Sequence, residues 1–105
     1  MSGYSVEVSP SALDDLRAIR SYIAMELGSP IAAEKTVQRM LDVLGGLECL
    51  PLRNRVLAAL ADGRELRQAR SDNFLALYTV ANNTVYVLSI IYGKSDIERR
   101  ISRLI

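Results

Sequence analysis

Apolar residues change their period several times along this chain, and each change marks an element. Residues 4–8, Tyr-Ser-Val-Glu-Val, alternate apolar and polar as a half-buried strand does. Ser9-Pro10 follows, a capping hydroxyl and then a proline at the first helical position, where its missing N–H costs nothing. Ala12, Leu16, Ile19, Ile23 and Leu27 then step by four, three, four and four, which makes one stripe of a helix. Asp14 and Asp15 fall in or near its first turn, where negative charge suits the helix dipole. Gly28 fits a left-handed stop. The grammar repeats at once. Ser29-Pro30 is a second cap, and Ala33, Val37, Met40, Leu41, Leu44 and Leu47 form a second stripe. Gly45-Gly46 weakens its last turn and Pro51 ends it. Two helices joined by so short a link run antiparallel and turn their stripes toward a common core.

Residues 52–63 carry the weakest pattern. Arg53-Asn54-Arg55 reads as loop, residues 56–61 as a helical turn, and Asp62-Gly63 as a turn into the next strand. Three strands follow. Residues 64–70 alternate, with Leu66 and Ala69 as their few apolar positions, and Ser71-Asp72-Asn73 is a turn. Residues 74–81 and 84–92 form a hairpin around Asn82-Asn83, a pair able to take positive φ. These last two strands are apolar on both faces. Phe74, Ala76, Tyr78 and Val80 point one way, and Leu75 and Leu77 the other. Strict alternation sets Val85, Val87 and Ile91 against Tyr86, Leu88, Ile90 and Tyr92. The helical hairpin covers one face only, so the chain's own C-terminus, a second copy or a partner should cover part of the other. Ser95-Asp96-Ile97-Glu98 has capping-box spacing. It opens a short helix to about Leu104, with Ile97, Ile101 and Leu104 inward and Arg99, Arg100 and Arg103 outward.

The fold class is therefore α+β, in one domain spanning residues 1–105. At 105 residues and 50% apolar, the chain can bury a core without disulfides or a metal. Its one cysteine, Cys49, lies in the run Leu47-Glu48-Cys49-Leu50 and is expected as a small buried hydrophobe. The absence of histidine excludes Ser–His and Cys–His nucleophile pairs and most catalytic zinc sites. No run approaches the ~18 apolar residues of a membrane helix. Met1-Ser2-Gly3-Tyr4 has no signal character, so a cytoplasmic protein is expected. The net charge of +1 hides an asymmetry: residues 1–50 carry four Lys/Arg against seven Asp/Glu, and residues 51–105 carry nine against five. The basic half suits an anionic surface.

The order of strand, helical hairpin, three antiparallel strands and short helix resembles the RelE/ParE superfamily of type II toxin–antitoxin toxins, over nearly the whole chain. Residues 4–12 resemble the family's opening strand and helix start. Asp15-Leu16, Ile19 and Tyr22-Ile23 continue it, followed by the Gly28-Ser29-Pro30 turn with Ala32-Ala33. Leu44, Leu47 and Leu50-Pro51 resemble the end of the second helix. Arg67, then residues 73–80, resemble the family's arginine and a strand ending in an aromatic. Residues 85–91 and the turn Tyr92-Gly93-Lys94-Ser95-Asp96-Ile97 resemble its close.

The resemblance implies a growth-inhibiting toxin of a plasmid-stabilisation module, with a short acidic antitoxin encoded adjacently, no cofactor and no metal. Two mechanisms live on this fold: RelE-type cleavage of mRNA on the ribosome, and ParE-type poisoning of DNA gyrase by binding. Aligned on Tyr78 and Gly93-Lys94, the strand position of a RelE-type catalytic arginine falls at Leu75. Other basic positions fall at Leu66, Gln68 and Ser95, and the tyrosine of the last helix falls near Ile101. These losses favour the ParE-type reading. The target-binding surface is then expected at Arg64, Arg67, Arg70, Lys94, Arg99, Arg100 and Arg103, and the antitoxin at Leu75 and Leu77. A shifted register would instead give a nuclease using Arg67, Arg70, Tyr92 and Lys94. A third possibility is an inactive member that only binds antitoxin. A homodimer is compatible with the second apolar face.

Overall fold

The computed structural model describes residues 3–93 and 97–104. Strand β1 (Ser5–Val8) leads into α1 (Pro10–Glu26) and α2 (Pro30–Gly46), followed by a short 3-10 turn (Pro51–Arg53). Strands β2 (Val56–Ala59), β3 (Glu65–Ser71), β4 (Phe74–Ala81) and β5 (Thr84–Tyr92) come next, and α3 (Ile97–Leu104) closes the chain. The strands form one sheet in the order β1-β5-β4-β3-β2. β1 lies parallel to β5, and every other pair is antiparallel.

Local chemistry accounts for the helical hairpin. Ser9 and Ser29 accept the N–H of Ala12 and Ala32 at 3.0 and 3.2 Å, and a proline follows each cap. Gly28 takes the left-handed φ of 66° that the tight link needs. The two stripes meet β3, β4 and β5 in the main core, around Leu16, Ile23, Met40, Leu44, Phe74, Tyr78 and Val87. Their outer members do not follow: Leu27 and Leu41, read as stripe residues, are 63% and 41% exposed. Leu27 is the C-cap of α1, past its last helical residue at Glu26.

Three further expectations change. Residues 56–61 form no helical turn; Val56–Ala59 pairs with β3 and gives the sheet a fourth strand after the hairpin. Pro51 does not end α2, which stops at Gly46; it opens the 3-10 turn instead. Cys49 is exposed, not buried, because the helix has ended before it and its segment runs along the surface.

The β4–β5 hairpin holds the most instructive difference. Asn82 and Asn83 both take positive φ, 52° and 62°, as a two-residue hairpin demands. Leu77 then pairs with Ser89 but Tyr78 with Val87, so Leu88 is an extra residue on β5. A bulge of one residue exchanges the faces of everything beyond it. Hence Ile90 joins Val85 and Val87 in the main core, while Ile91 joins Leu75 and Leu77 on the other side. Strict alternation had placed Ile90 and Ile91 the other way round.

Tyr78 fastens the irregular segment to the sheet. It is fully buried, and its hydroxyl donates to the Pro51 carbonyl at 2.5 Å. Burial disfavours the phenolate and raises its pKa above the ordinary 10.0, although Asn54 and the Arg67 charge oppose the shift. Tyr78→Phe should cost about 1 kcal/mol at neutral pH. The stability specific to the tyrosine is fully present below the unfolded-chain value and is lost as pH rises through the higher folded value. Urea titrations should therefore show the gap between wild type and Tyr78→Phe narrowing above about pH 10. A gap independent of pH would contradict a buried, neutral phenol.

Candidate functional site

The face of the sheet opposite the helical hairpin carries an apolar floor of Leu66, Leu75, Leu77 and Ile91. Alternation along β3 and β4 puts the three leucines there, and the bulge at Leu88 adds Ile91 of β5. The chain's own C-terminus covers them, since Ile97, Ile101 and Leu104 of α3 pack against this floor. Leu75 and Leu77 are 2% and 0% exposed as a result. The cover is thin, because α3 has eight residues and none is itself fully buried.

A polar cluster pins α3 in place. Beyond Val87, β5 loses β1 as a neighbour, because β1 ends at Val8. Asp15 fills the vacated edge: its Oδ2 accepts the Ile90 N–H at 2.9 Å and the Ser89 hydroxyl at 3.2 Å. The same oxygen meets the Arg100 guanidinium at 3.1 Å, and Arg100 also bonds Ser89. One carboxylate thus joins α1, β5 and α3. Arg100, expected to face outward, is turned inward by this pair. Asp15 lies beyond the first turn of α1 and acts through these contacts instead of the helix dipole.

The remaining expected cations separate into engaged and available groups. Arg67 is held beneath the 3-10 turn with its side chain only 12% exposed. It donates to the carbonyls of Leu52 and Asn54 at 2.8 and 2.5 Å and pairs with Glu65 at 2.8 Å. Arg64 pairs with Asp62 at 2.7 Å. The Arg64 backbone N–H holds the Asp62 carboxyl below its usual range, against desolvation and with help from the Arg64 guanidinium. Arg70, Arg99 and Arg103 are exposed and have no salt bridge among the described residues. Lys94, named both as a target-binding and as a catalytic candidate, and the capping residue Ser95 lie outside the described residues.

The described nuclease candidates do not converge. Arg70 stands opposite Leu75 and Tyr92 opposite Phe74, which are consecutive residues of β4, so the two side chains project from opposite faces. Tyr92 lies edge-on to Phe74, with ring centroids 5.2 Å apart, beside a groove formed with Tyr22 and Leu27. Arg67 is committed to the fold. The sequence reading passed over Asp15 and Ser89 as functional partners. A lone serine inside the apolar run Val87 to Ile91 was the available signal. It also read Arg53 and Arg55 only as loop, though both line a cleft with Arg70.

Comparison with known proteins agrees with this architecture. The chain matches the family model described as the ParE toxin of type II toxin–antitoxin system, parDE, over residues 6–97. A chain of the chromosomal ParDE toxin–antitoxin system from P. aeruginosa superposes with a TM-score of 0.71 at 20% identity, covering 90% of this chain and 100% of that one. A chain of the RelBE2 complex from Mycobacterium tuberculosis gives 0.60 at 21% identity, with 86% and 98% covered. The archaeal RelE–RelB complex from Pyrococcus horikoshii gives 0.61 at 17% identity, with 89% and 98% covered. No curated protein matches the sequence significantly.

The cluster around Asp15 yields an ordered expectation. Arg100→Ala removes one charge-assisted partner and should cost about 1–2 kcal/mol. Asp15→Ala also orphans the Ile90 N–H and leaves Arg100 unpaired, so it should cost more, about 2–4 kcal/mol. Both should speed amide exchange in α3 ahead of global unfolding, which hydrogen-exchange mass spectrometry reads directly. Equal protection of α3 in both variants and wild type would show that the cluster does not hold it.

Proposed function

The chain belongs to the ParE toxin family of type II toxin–antitoxin systems, and on that footing we propose that it inhibits DNA gyrase by binding and is itself neutralised by a cognate antitoxin. The observation that carries this reading is Leu75. Its position is the one where the RelE-type pattern places an arginine on the scissile phosphate, and here it is an apolar side chain 2% exposed beneath α3. Leucine offers no donor to a phosphorane. Removing one such donor costs about a hundredfold or more in rate. Arg70 and Tyr92 on opposite faces supply no substitute.

Inhibition by binding needs only a surface of the right charge. Arg70, Arg99 and Arg103 offer one, and Lys94, outside the described residues, is a further candidate by sequence. The neighbouring folds come from toxin–antitoxin complexes, which supports an antitoxin as partner. The antitoxin docks on the apolar floor at Leu75 and Leu77. That floor is reached only when Ile97, Ile101 and Leu104 lift, so docking competes with α3. The module acts in the cytoplasm, where gyrase and its DNA lie.

Purified chain should block gyrase supercoiling and raise gyrase-mediated DNA cleavage. Reversing Arg70, Arg99 and Arg103 together to Glu should raise the half-inhibitory concentration by about tenfold or more, each charge contributing modestly at an exposed interface. Toeprinting of mRNA on treated ribosomes should show no A-site cuts. Unchanged supercoiling together with A-site cuts would replace this reading with a ribonuclease. Overexpression that is harmless without antitoxin would indicate an inactive member.

A further inference from the structure

Four large apolar side chains crowd the tip of the helical hairpin and face water: Tyr22, Met25, Leu27 and Ile31. Met25 is 80% exposed and Ile31 71%. Helical spacing gathers them, since Tyr22 and Met25 lie three apart on α1 and Ile31 opens α2 just across the link. Apolar residues scattered singly over a surface are ordinary, whereas a contiguous patch marks an interaction site. The tip is also held in shape. Gly28 keeps its left-handed φ, and the Ser29 N–H reaches back to the Ile23 carbonyl at 3.5 Å.

A groove of about 750 Å3 opens beside this tip. Helix α1 contributes Tyr22, Ile23 and Leu27 to its lining, and the sheet contributes Phe74 and Tyr92. The groove is preformed. Arg39 of α2 pairs with Asp72 at 2.8 Å, the Gly93 N–H closes on the Asn73 carbonyl at 2.6 Å, and Tyr92 stands edge-on to Phe74. Met25 and Ile31 take no part in the lining. One surface thus carries apolar knobs and, next to them, an apolar socket that its own knobs do not fill.

Charge decides what covers this surface. The nearby arginines are already paired, Arg39 with Asp72 and Arg20 with Glu34 at 3.1 Å, so neither a phosphate backbone nor an acidic peptide finds a free cation in them. Glu26 and Lys35 are exposed and have no salt bridge among the described residues. Each stands one helical turn beyond an apolar member of the patch, Glu26 after Tyr22 and Lys35 after Ile31. A twofold axis that sets α1 of one copy against α2 of another brings these opposite charges together twice. We infer that the hairpin tip and its groove form an isologous interface with a second copy of this chain, Met25 and Ile31 of each copy entering the groove of the other. The dimer does not use the second face of the sheet, where α3 already covers Leu75 and Leu77. With so few apolar residues per copy, the contact belongs near the low end of standard interfaces, about 1,200 Å2, and micromolar association is expected.

Sedimentation equilibrium of the purified full chain should show a reversible monomer–dimer equilibrium in the micromolar range. Met25→Asp with Ile31→Asp should raise its dissociation constant about tenfold or more. Both positions face water in the monomer, so an unchanged circular dichroism spectrum shows that the variant folds. Glu26→Lys alone should weaken the dimer severalfold, and adding Lys35→Glu should restore it. In an equal mixture of isotope-labelled and unlabelled chain, intermolecular NOEs should join the Met25 and Ile31 methyls to the Phe74 and Tyr92 rings. A chain that stays monomeric at millimolar concentration, a dimer that the double Asp variant leaves intact, or NOEs confined to other residues would overturn the inference. So would a monomer whose groove resonances shift only when the protein encoded beside this chain is added, which would give the groove to that partner.

Discussion

The fold depends on a central strand that must be dry on both faces. Residues 74–79 of β4 are all buried, although alternate side chains point to opposite sides of the sheet. Neither face can be left to water, so the sheet needs a layer on each side. The helical hairpin supplies one, two helices of 17 residues each with their stripes against Phe74, Ala76 and Tyr78. The eight-residue α3 supplies the other, against Leu75 and Leu77. The two covers are unequal, and that inequality places functional potential on the α3 side.

The two edges of the sheet are finished differently. β1 is short and leaves β5 open beyond Val87; β2 is short and leaves β3 open beyond Arg67. On the first edge a carboxylate replaces the missing strand, with Asp15 accepting the Ile90 N–H and drawing in Arg100. On the second edge nothing among the described residues takes that place, and arginines from the neighbouring turn stand around it. Asp15 makes its edge part of the folded core, whereas the β3 edge beyond Arg67 stays open among the described residues.

Much of this was legible because local rules and tertiary structure agreed. The Ser-Pro caps, Gly28 and the Asn82-Asn83 turn each specify one backbone conformation, and the elements they bound lie where the periodicity put them. β2 was illegible because four small and aliphatic residues on an edge carry no alternation; its pairing with β3 decides its form. The bulge at Leu88 was illegible because Val85 to Ile91 is apolar almost throughout, so a slip in register leaves no trace in composition. Arg67 and Arg100 look like any surface arginines. Only the folded chain shows that carbonyls claim one and a carboxylate the other. Site residues are harder to read than elements for this reason: a charge has no period, and its role is fixed by what it meets.

The thinness of the α3 layer decides whether a partner can displace it. Ile97, Ile101 and Leu104 are each only half-buried, so lifting them costs about 1 kcal/mol apiece in re-exposed apolar surface. Breaking the pair between Arg100 and Asp15 adds about 1–2 kcal/mol, since Arg100 regains water and Asp15 keeps the Ile90 N–H. The closed state is then favoured by roughly 5 kcal/mol, and any ligand of the floor has its affinity reduced by that amount. A partner with intrinsic affinity near 1 nM, about 12 kcal/mol, would fall to the micromolar range if it held the floor alone. A second attachment that leaves α3 undisturbed restores the loss through effective concentration. On this arithmetic a partner that holds the floor alone still binds, but about 5 kcal/mol more weakly than its contacts would give, and one with a second attachment elsewhere recovers the loss.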